Sequence, residues 1–264
     1  MRNIGSLSVR LSGKSCCLFV LLLVTLLAAL SPAARASSCS AATLKGNYAI
    51  ESLGEVSGGA VGTLFLITND GNGNLSGSGT ESLAGTIYTG VTLTGTYSVT
   101  SSCWFTATST DSLGNTLSIE GLVFQNGAEL TGLSTSAGTL LQVTAYRLAE
   151  STCTLAGGAG THINQYQAPL SPYGGGIVTQ EATFGKTGSG SGTYVANFSG
   201  DFSGGTFTGA ESINSDCTYT ATVTFSNGNV SHSFGIGGIK LDDVVSLSIG
   251  TDSGWVIVGT HYNK

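Results

Sequence analysis

From Cys217 to Phe225 the chain alternates strictly: Cys217, Tyr219, Ala221, Val223 and Phe225 take one parity, Thr218, Thr220, Thr222 and Thr224 the other. A period of two sends successive side chains to opposite faces of an extended strand, so this segment predicts a strand with one packed and one hydroxyl-covered face. The same period recurs along the chain, broken by turn clusters such as Asp70-Gly71-Asn72-Gly73, Gly114-Asn115, Asn126-Gly127 and Asn227-Gly228. In the first half it predicts eight strands, near 46–53, 60–68, 74–83, 86–99 with a bend at Gly90, 103–110, 116–124, 128–135 and 139–148. No helical period appears after residue 36, and the chain has only three prolines, one of them Pro32. The fold class expected is therefore all-β. Eight short antiparallel strands joined by tight turns favour an up-and-down barrel, because closure removes exposed strand edges. A two-sheet sandwich satisfies the same pattern and is the alternative.

The pattern occurs twice. Cys39 to Cys103 and Cys153 to Cys217 are both separations of 64, and an offset of 114 superposes the two halves. At that offset Cys103-Trp104-Phe105-Thr106-Ala107-Thr108 meets Cys217-Thr218-Tyr219-Thr220-Ala221-Thr222, Leu93-Thr94-Gly95 meets Phe207-Thr208-Gly209, and Gly46 meets Gly160. Two β repeats follow, 39–150 and 153–264, joined by Ser151-Thr152. Periodicity leaves open whether they close as two barrels or as one larger sheet. A sixteen-strand outer-membrane barrel would need an apolar outer band with aromatic girdles, whereas the polar faces here are Thr and Ser, so an integral membrane protein is not expected.

Composition adds a location. Residues 1–36 hold Arg2, Arg10 and Lys14, an apolar run from Cys16 to Leu30, and Ala34-Arg35-Ala36, the three parts of a signal peptide removed after Ala36. A secreted or periplasmic protein is the expectation. Beyond residue 36 five basic residues face fifteen acids, a net charge of −10. A chain this acidic has no basic stripe for phosphates, so nucleic acid is not an expected partner. Four cysteines remain, an even number that in an exported protein reads as disulfides. The equal spacing suggests Cys39 with Cys103 and Cys153 with Cys217, although the repeat symmetry also permits a swapped pairing.

The segments Cys39-Ser-Ala-Ala-Thr-Leu-Lys-Gly-Asn-Tyr48, Asp70-Gly-Asn-Gly-Asn-Leu-Ser-Gly77 and Gly95-Thr-Tyr-Ser-Val-Thr-Ser-Ser-Cys103 look like a pattern of uncharacterised exported bacterial proteins. More distantly they resemble the eight-stranded barrel class that includes allene oxide cyclase and dirigent-like proteins. That resemblance implies a barrel and carries over no catalytic residue.

Candidate chemistry is sparse. Gly188-Ser-Gly-Ser-Gly192 has glycine where a serine-hydrolase elbow needs serine, and no dinucleotide or Walker fingerprint occurs, so no cofactor is expected. His232 shares parity with Val230, Phe234 and Ile236, and Glu211 with Phe207 and Ile213, which makes them a candidate acid/base pair on an apolar face. Trp104 shares parity with Thr106 and Thr108 and is a candidate exposed contact for a glycan. Asp70, Asn72, Asn74 and Glu81 occupy positions 1, 3, 5 and 12 of a calcium-loop window. Leu75 stands where that loop needs glycine, and no flanking helix is predicted, so a hairpin turn is the preferred reading and calcium the weaker one. Asn74, Asn197 and Asn229 open glycosylation sequons, which short triplets in a Ser/Thr-rich chain form by chance. The function expected is a secreted, non-enzymatic binding or surface-interaction module, with a small apolar ligand inside a barrel; the alternatives are a barrel cyclase or isomerase using polar groups of the second repeat, and a carbohydrate-binding or adhesin surface.

Overall fold

The structure, a computed structural model, describes residues 38–57, 59–149, 153–228, 231–242 and 245–264. The signal-like segment, the Ser151-Thr152 joint and the Asn229 sequon lie outside these residues. Sixteen antiparallel strands form two closed barrels of eight. The first contains β1 (Gly46–Val56), β2 (Gly59–Asn69), β3 (Asn74–Leu83), β4 (Thr86–Val99), β5 (Trp104–Asp111), β6 (Thr116–Phe124), β7 (Glu129–Ser134) and β8 (Thr139–Arg147). The second contains β9 (Gly160–Leu170), β10 (Gly176–Phe184), β11 (Ser189–Phe198), β12 (Asp201–Ile213), β13 (Thr218–Ser226), β14 (Ser231–Lys240), β15 (Val245–Gly250) and β16 (Val256–Asn263). Each strand pairs with its sequence neighbour, and β1 with β8 and β9 with β16 complete the circles. The sandwich alternative and the single large sheet are both overturned by these closing ladders, which leave neither an open edge nor a ladder shared between barrels.

The expected bend at Gly90 is a β-bulge. Gly79 pairs with Val91 and Thr80 with Thr89, so Gly90 stands unpaired with φ at +68°, a conformation glycine adopts without a Cβ penalty. The bulge lets the long β4 turn with the barrel wall and sets Tyr88 opposite Glu81.

Both barrels begin at a disulfide-tied end. Cys39 bonds to Cys103 and Cys153 to Cys217, each with a Cα–Cα distance of 4.9 Å. Cys103 and Cys217 have φ of +65° and +70°, so the two repeats reproduce the same left-handed turn before β5 and β13. Each bond closes a loop of 64 residues and restricts the unfolded chain. Replacing Cys39 and Cys103 together by alanine should therefore lower stability by about 2–4 kcal/mol, read by urea denaturation. An unchanged midpoint would refute that role.

The barrels lie side by side through a third apolar cluster. Ala49 and Leu64, on the outer faces of β1 and β2, pack against Ile239, Leu247, Ile249 and Val258 of the second barrel, all at most 4% exposed. Ser82 Oγ donates to the Trp255 carbonyl at 2.7 Å and the Gly254 amide to the Gly85 carbonyl at 2.8 Å. Gly85 has φ at +83°, and a Cβ there would stand 2.9 Å from the Gly254 Cα. Glycine at this point lets the β3–β4 and β15–β16 loops touch, which brings the loop ends of both barrels to one side of the molecule.

Candidate functional site

The interior of the first barrel is hollow. Alternation along β2 turns Val61, Thr63, Phe65, Ile67 and Asn69 inward, and β8 contributes Leu141, Val143 and Ala145; together with the other strands they enclose a cavity of about 350 Å³. That volume lies within the ~300–1,000 Å³ range of small-molecule sites. One end is sealed. Leu44, from a 3-10 turn at Ala41–Leu44, is 2% exposed. Tyr48 donates to the Gly127 carbonyl at 2.6 Å, Arg147 Nε donates to the Tyr48 hydroxyl at 3.0 Å, and Arg147 also donates to the Thr43 carbonyl. Tyr97 donates to the Ala41 carbonyl at 3.1 Å and completes the floor. The opposite end, ringed by the β1–β2, β3–β4, β5–β6 and β7–β8 hairpins, is the mouth; Val56, Ala84, Asn115 and Thr139 line the cavity there.

Few polar groups interrupt the lumen. Ser52 and Thr63 satisfy each other at 2.6 Å across β1 and β2. Near the mouth stand two carboxyl groups, Glu81 and Asp111. Asp111 is held by its own turn: one oxygen accepts from the Leu113 amide at 2.8 Å and the Asn115 amide at 2.9 Å, the other from Asn115 Nδ2 at 2.9 Å. Glu81 is 5% exposed. Its burial, then the charge of Asp111 and a hydrogen bond with it, push its carboxyl up to about 7. Near neutral pH Glu81 therefore holds its proton more readily than a free carboxyl would.

The turn of Asp111 has a twin at the sealed end. Asp70 accepts from the Asn72 amide at 2.7 Å and the Asn74 amide at 3.0 Å with one oxygen, and from Asn74 Nδ2 at 2.6 Å with the other. These bonds, the Asn74 side chain first, hold its carboxyl down at about 2. Asp70 and Asn74 therefore clamp a hairpin whose glycines at 71 and 73 take positive φ. Glu81 is far from them, near the other end of β3. The four residues of the calcium window are not brought together, and no cluster of three metal-binding side chains occurs among the described residues.

The second barrel is filled through its middle and its disulfide-tied end and opens into a cup at the other. Tyr166, Asn164, Gln180, Tyr219, Ser248 and His261 occupy its interior. Gln180 Nε2 donates to the Tyr166 hydroxyl at 3.1 Å, and His261 Nε2 bonds to Ser248 Oγ at 2.9 Å. Burial pushes the His261 imidazole down to about 3, so it is neutral. Glu211 lies at the disulfide-tied end with Lys240, His162 and Asp242 around a space of about 30 Å³. Burial raises its carboxyl to about 7 against the pull of Lys240. That space admits one or two waters and no organic substrate.

His232 is at the other end. It is exposed, and its ring nitrogen bonds to the Tyr173 hydroxyl in an aromatic cup of about 610 Å³ whose wall includes Tyr194, Phe198, Phe234 and Trp255. Phe234 stacks on Phe225 at 5.1 Å and on Trp255 at 5.9 Å. Thus Glu211 and His232 share an inward parity but line different cavities, and the structure does not bring the expected pair together. The charge that faces Glu211 is that of Lys240, 6% exposed, and the partner of His232 is Tyr173. Parity alone could have found Lys240, because it alternates with Ile236 and Gly238 on the inward face of β14. Trp104 stands on the outer wall of β5, 43% exposed, directly opposite Leu122 at 39%.

No protein-family model matches the chain, and no curated protein matches it. The likeness to the cyclase and dirigent-like class thus finds no support from a family model. Among solved structures, isotype 1 transferrin binding protein B from serogroup B Neisseria meningitidis aligns at 9% identity over 84% of this chain and 77% of its own, with a TM-score of 0.28. Intact Ap-TbpB, with its N and C lobes, aligns at 7% identity over 86% of this chain and 77% of its own, with a TM-score of 0.27. At these scores neither match bears on the function of this chain.

Proposed function

We propose that this chain is an exported binding protein that takes a small, largely apolar molecule into the lumen of its first barrel. The observation that carries this reading is the 350 Å³ cavity, walled by aliphatic and aromatic side chains and sealed at one end by the Tyr48–Arg147 network. An unfilled apolar space costs packing energy, and a sequence under no demand for it would fill it, as the second copy does at its disulfide-tied end. The aromatic cup of the second barrel supports a second site for a flat ring. Binding without turnover fits the separation of Glu211 from His232. The two disulfides fit an oxidising compartment.

The test is a titration with N-phenyl-1-naphthylamine, a neutral dye that brightens in apolar surroundings. Saturable emission at one or two dyes per chain, reversed by decanol, is the expected result. Emission that rises without saturation would overturn the reading.

A further inference from the structure

The first lumen carries polar groups that an apolar cargo alone does not require. At its mouth Glu81 and Asp111 present two carboxyl groups, yet none of the residues lining the cavity is lysine, arginine or histidine. Arg147 is engaged at the sealed end with Tyr48 and Thr43. Asp111 is fixed by its three donors, so its charge cannot swing away from the lumen. A carboxylate fixed at the edge of an apolar cavity favours a cation that can share its oxygens.

A second observation lies at the inner end. Asn69 lines the cavity, is 5% exposed, and its side-chain oxygen has no hydrogen-bond partner. Buried carbonyl oxygens are rarely left unmet, and a donor in the lumen would meet this one. Asn69 faces Leu75 in the β2–β3 register, and Glu81 lies six residues farther along β3, about 20 Å away. The polar groups therefore mark the two ends of one elongated space.

We propose that the ligand of the first lumen is an amphiphilic amine: a protonated nitrogen between Glu81 and Asp111, an apolar chain along the lumen, and a hydrogen-bond donor at its inner end for Asn69. This rests on the reading of the lumen as a ligand site. A hard metal ion is the poorer occupant, since calcium takes about six to eight oxygens and both oxygens of Asp111 already accept from its own turn.

Calorimetric titration of the full chain with decylamine, decanol and decanoate tests the inference. Decylamine should bind roughly ten- to a hundredfold more tightly than decanol, the return expected of a charge-assisted hydrogen bond, and decanoate should bind least. Asp111→Asn should erase the preference for the amine and leave decanol unchanged, whereas Glu55→Gln, on the exposed outer wall, should alter neither. A decyl chain with an amine at one end and a hydroxyl at the other should bind more tightly than decylamine, and Asn69→Leu should cancel that gain. Equal binding of amine and alcohol, or displacement of decylamine by millimolar calcium, would overturn the amine assignment and leave the apolar site standing. Failure of all three probes would remove the site itself. The wild-type comparison needs no variant, so an Asp111→Asn chain that does not fold would not shield the inference.

Discussion

Replacing Ala107 by tryptophan should abolish dye binding in the first barrel while leaving it folded. Ala107 points inward from the middle of β5, between Tyr97 of β4 and Ile119 of β6, and lines the cavity. An indole placed there has open space before it, so the usual overpacking cost of about 1–3 kcal/mol should be largely avoided. Affinity in the lumen should fall by roughly a hundredfold or more, because the ring occupies the space that the ligand needs. The matching variant in the second repeat, Ala221→Trp, should behave oppositely. Ala221 packs against a filled interior, so tryptophan there should cost about 1–3 kcal/mol and leave the first lumen's binding intact. Circular dichroism, thermal melting and the dye titration read both outcomes. Similar melting losses in the two variants, with dye binding retained in Ala107→Trp, would deny that the first barrel is hollow.

Stability should fall as the pH rises from about 5 to about 8. Burial raises the carboxyls of Glu51, Glu81 and Glu211 from 4.5 to about 7. Between those values the unfolded chain has released these protons and the folded chain still holds them, so each step up in pH favours unfolding; above about 7 both states are ionised and the fall ends. His261 works against this trend. Its imidazole drops from 6.5 to about 3, which makes stability rise with pH across that interval. One opposing proton against three leaves a net decline on the order of 5 kcal/mol. Asp70, held at about 2, adds stability only as pH rises through the range below its usual 3.8. Glu51 isolates the effect. It sits on the outer face of β1 between Leu64 and Thr144, and its Oε2 has no hydrogen-bond partner. Glu51→Gln should gain roughly 1–3 kcal/mol at pH 8 and little at pH 5, so its stability curve should be flatter than the parent's. Equal gains at both values would show that the carboxyl is not displaced.

The strand order was legible because the period of two is a direct record of which side chains face the core. Strands β3 and β4 run over 74–83 and 86–99, and the bend expected at Gly90 is the bulge found there. The cysteine pairing was legible from a different signal, since two equal separations of 64 are satisfied by one bond per repeat. Height within the barrel was not. Parity gives the face of a strand, whereas strand tilt and register decide which end a residue reaches, and this is why Glu211 and His232 share a face and not a site. The same limit hid the meeting of Glu81 with Asp111. Glu81 stood out as the last member of a calcium window, but its neighbour comes from β5, with β4 between them. Nor does alternation distinguish a hollow barrel from a filled one. Asp111 and Phe225 occupy the same place in the two repeats, one a charged group at a mouth and the other a ring stacked in an aromatic cup.

The central claim is that the first barrel holds a ligand. Native mass spectrometry of the chain purified from its own cells tests it most directly. The expected spectrum shows a small non-covalent adduct that collisional activation sheds and that the Ala107→Trp variant lacks. A spectrum of bare protein alone, from preparations that also fail to bind the dye, would contradict the claim.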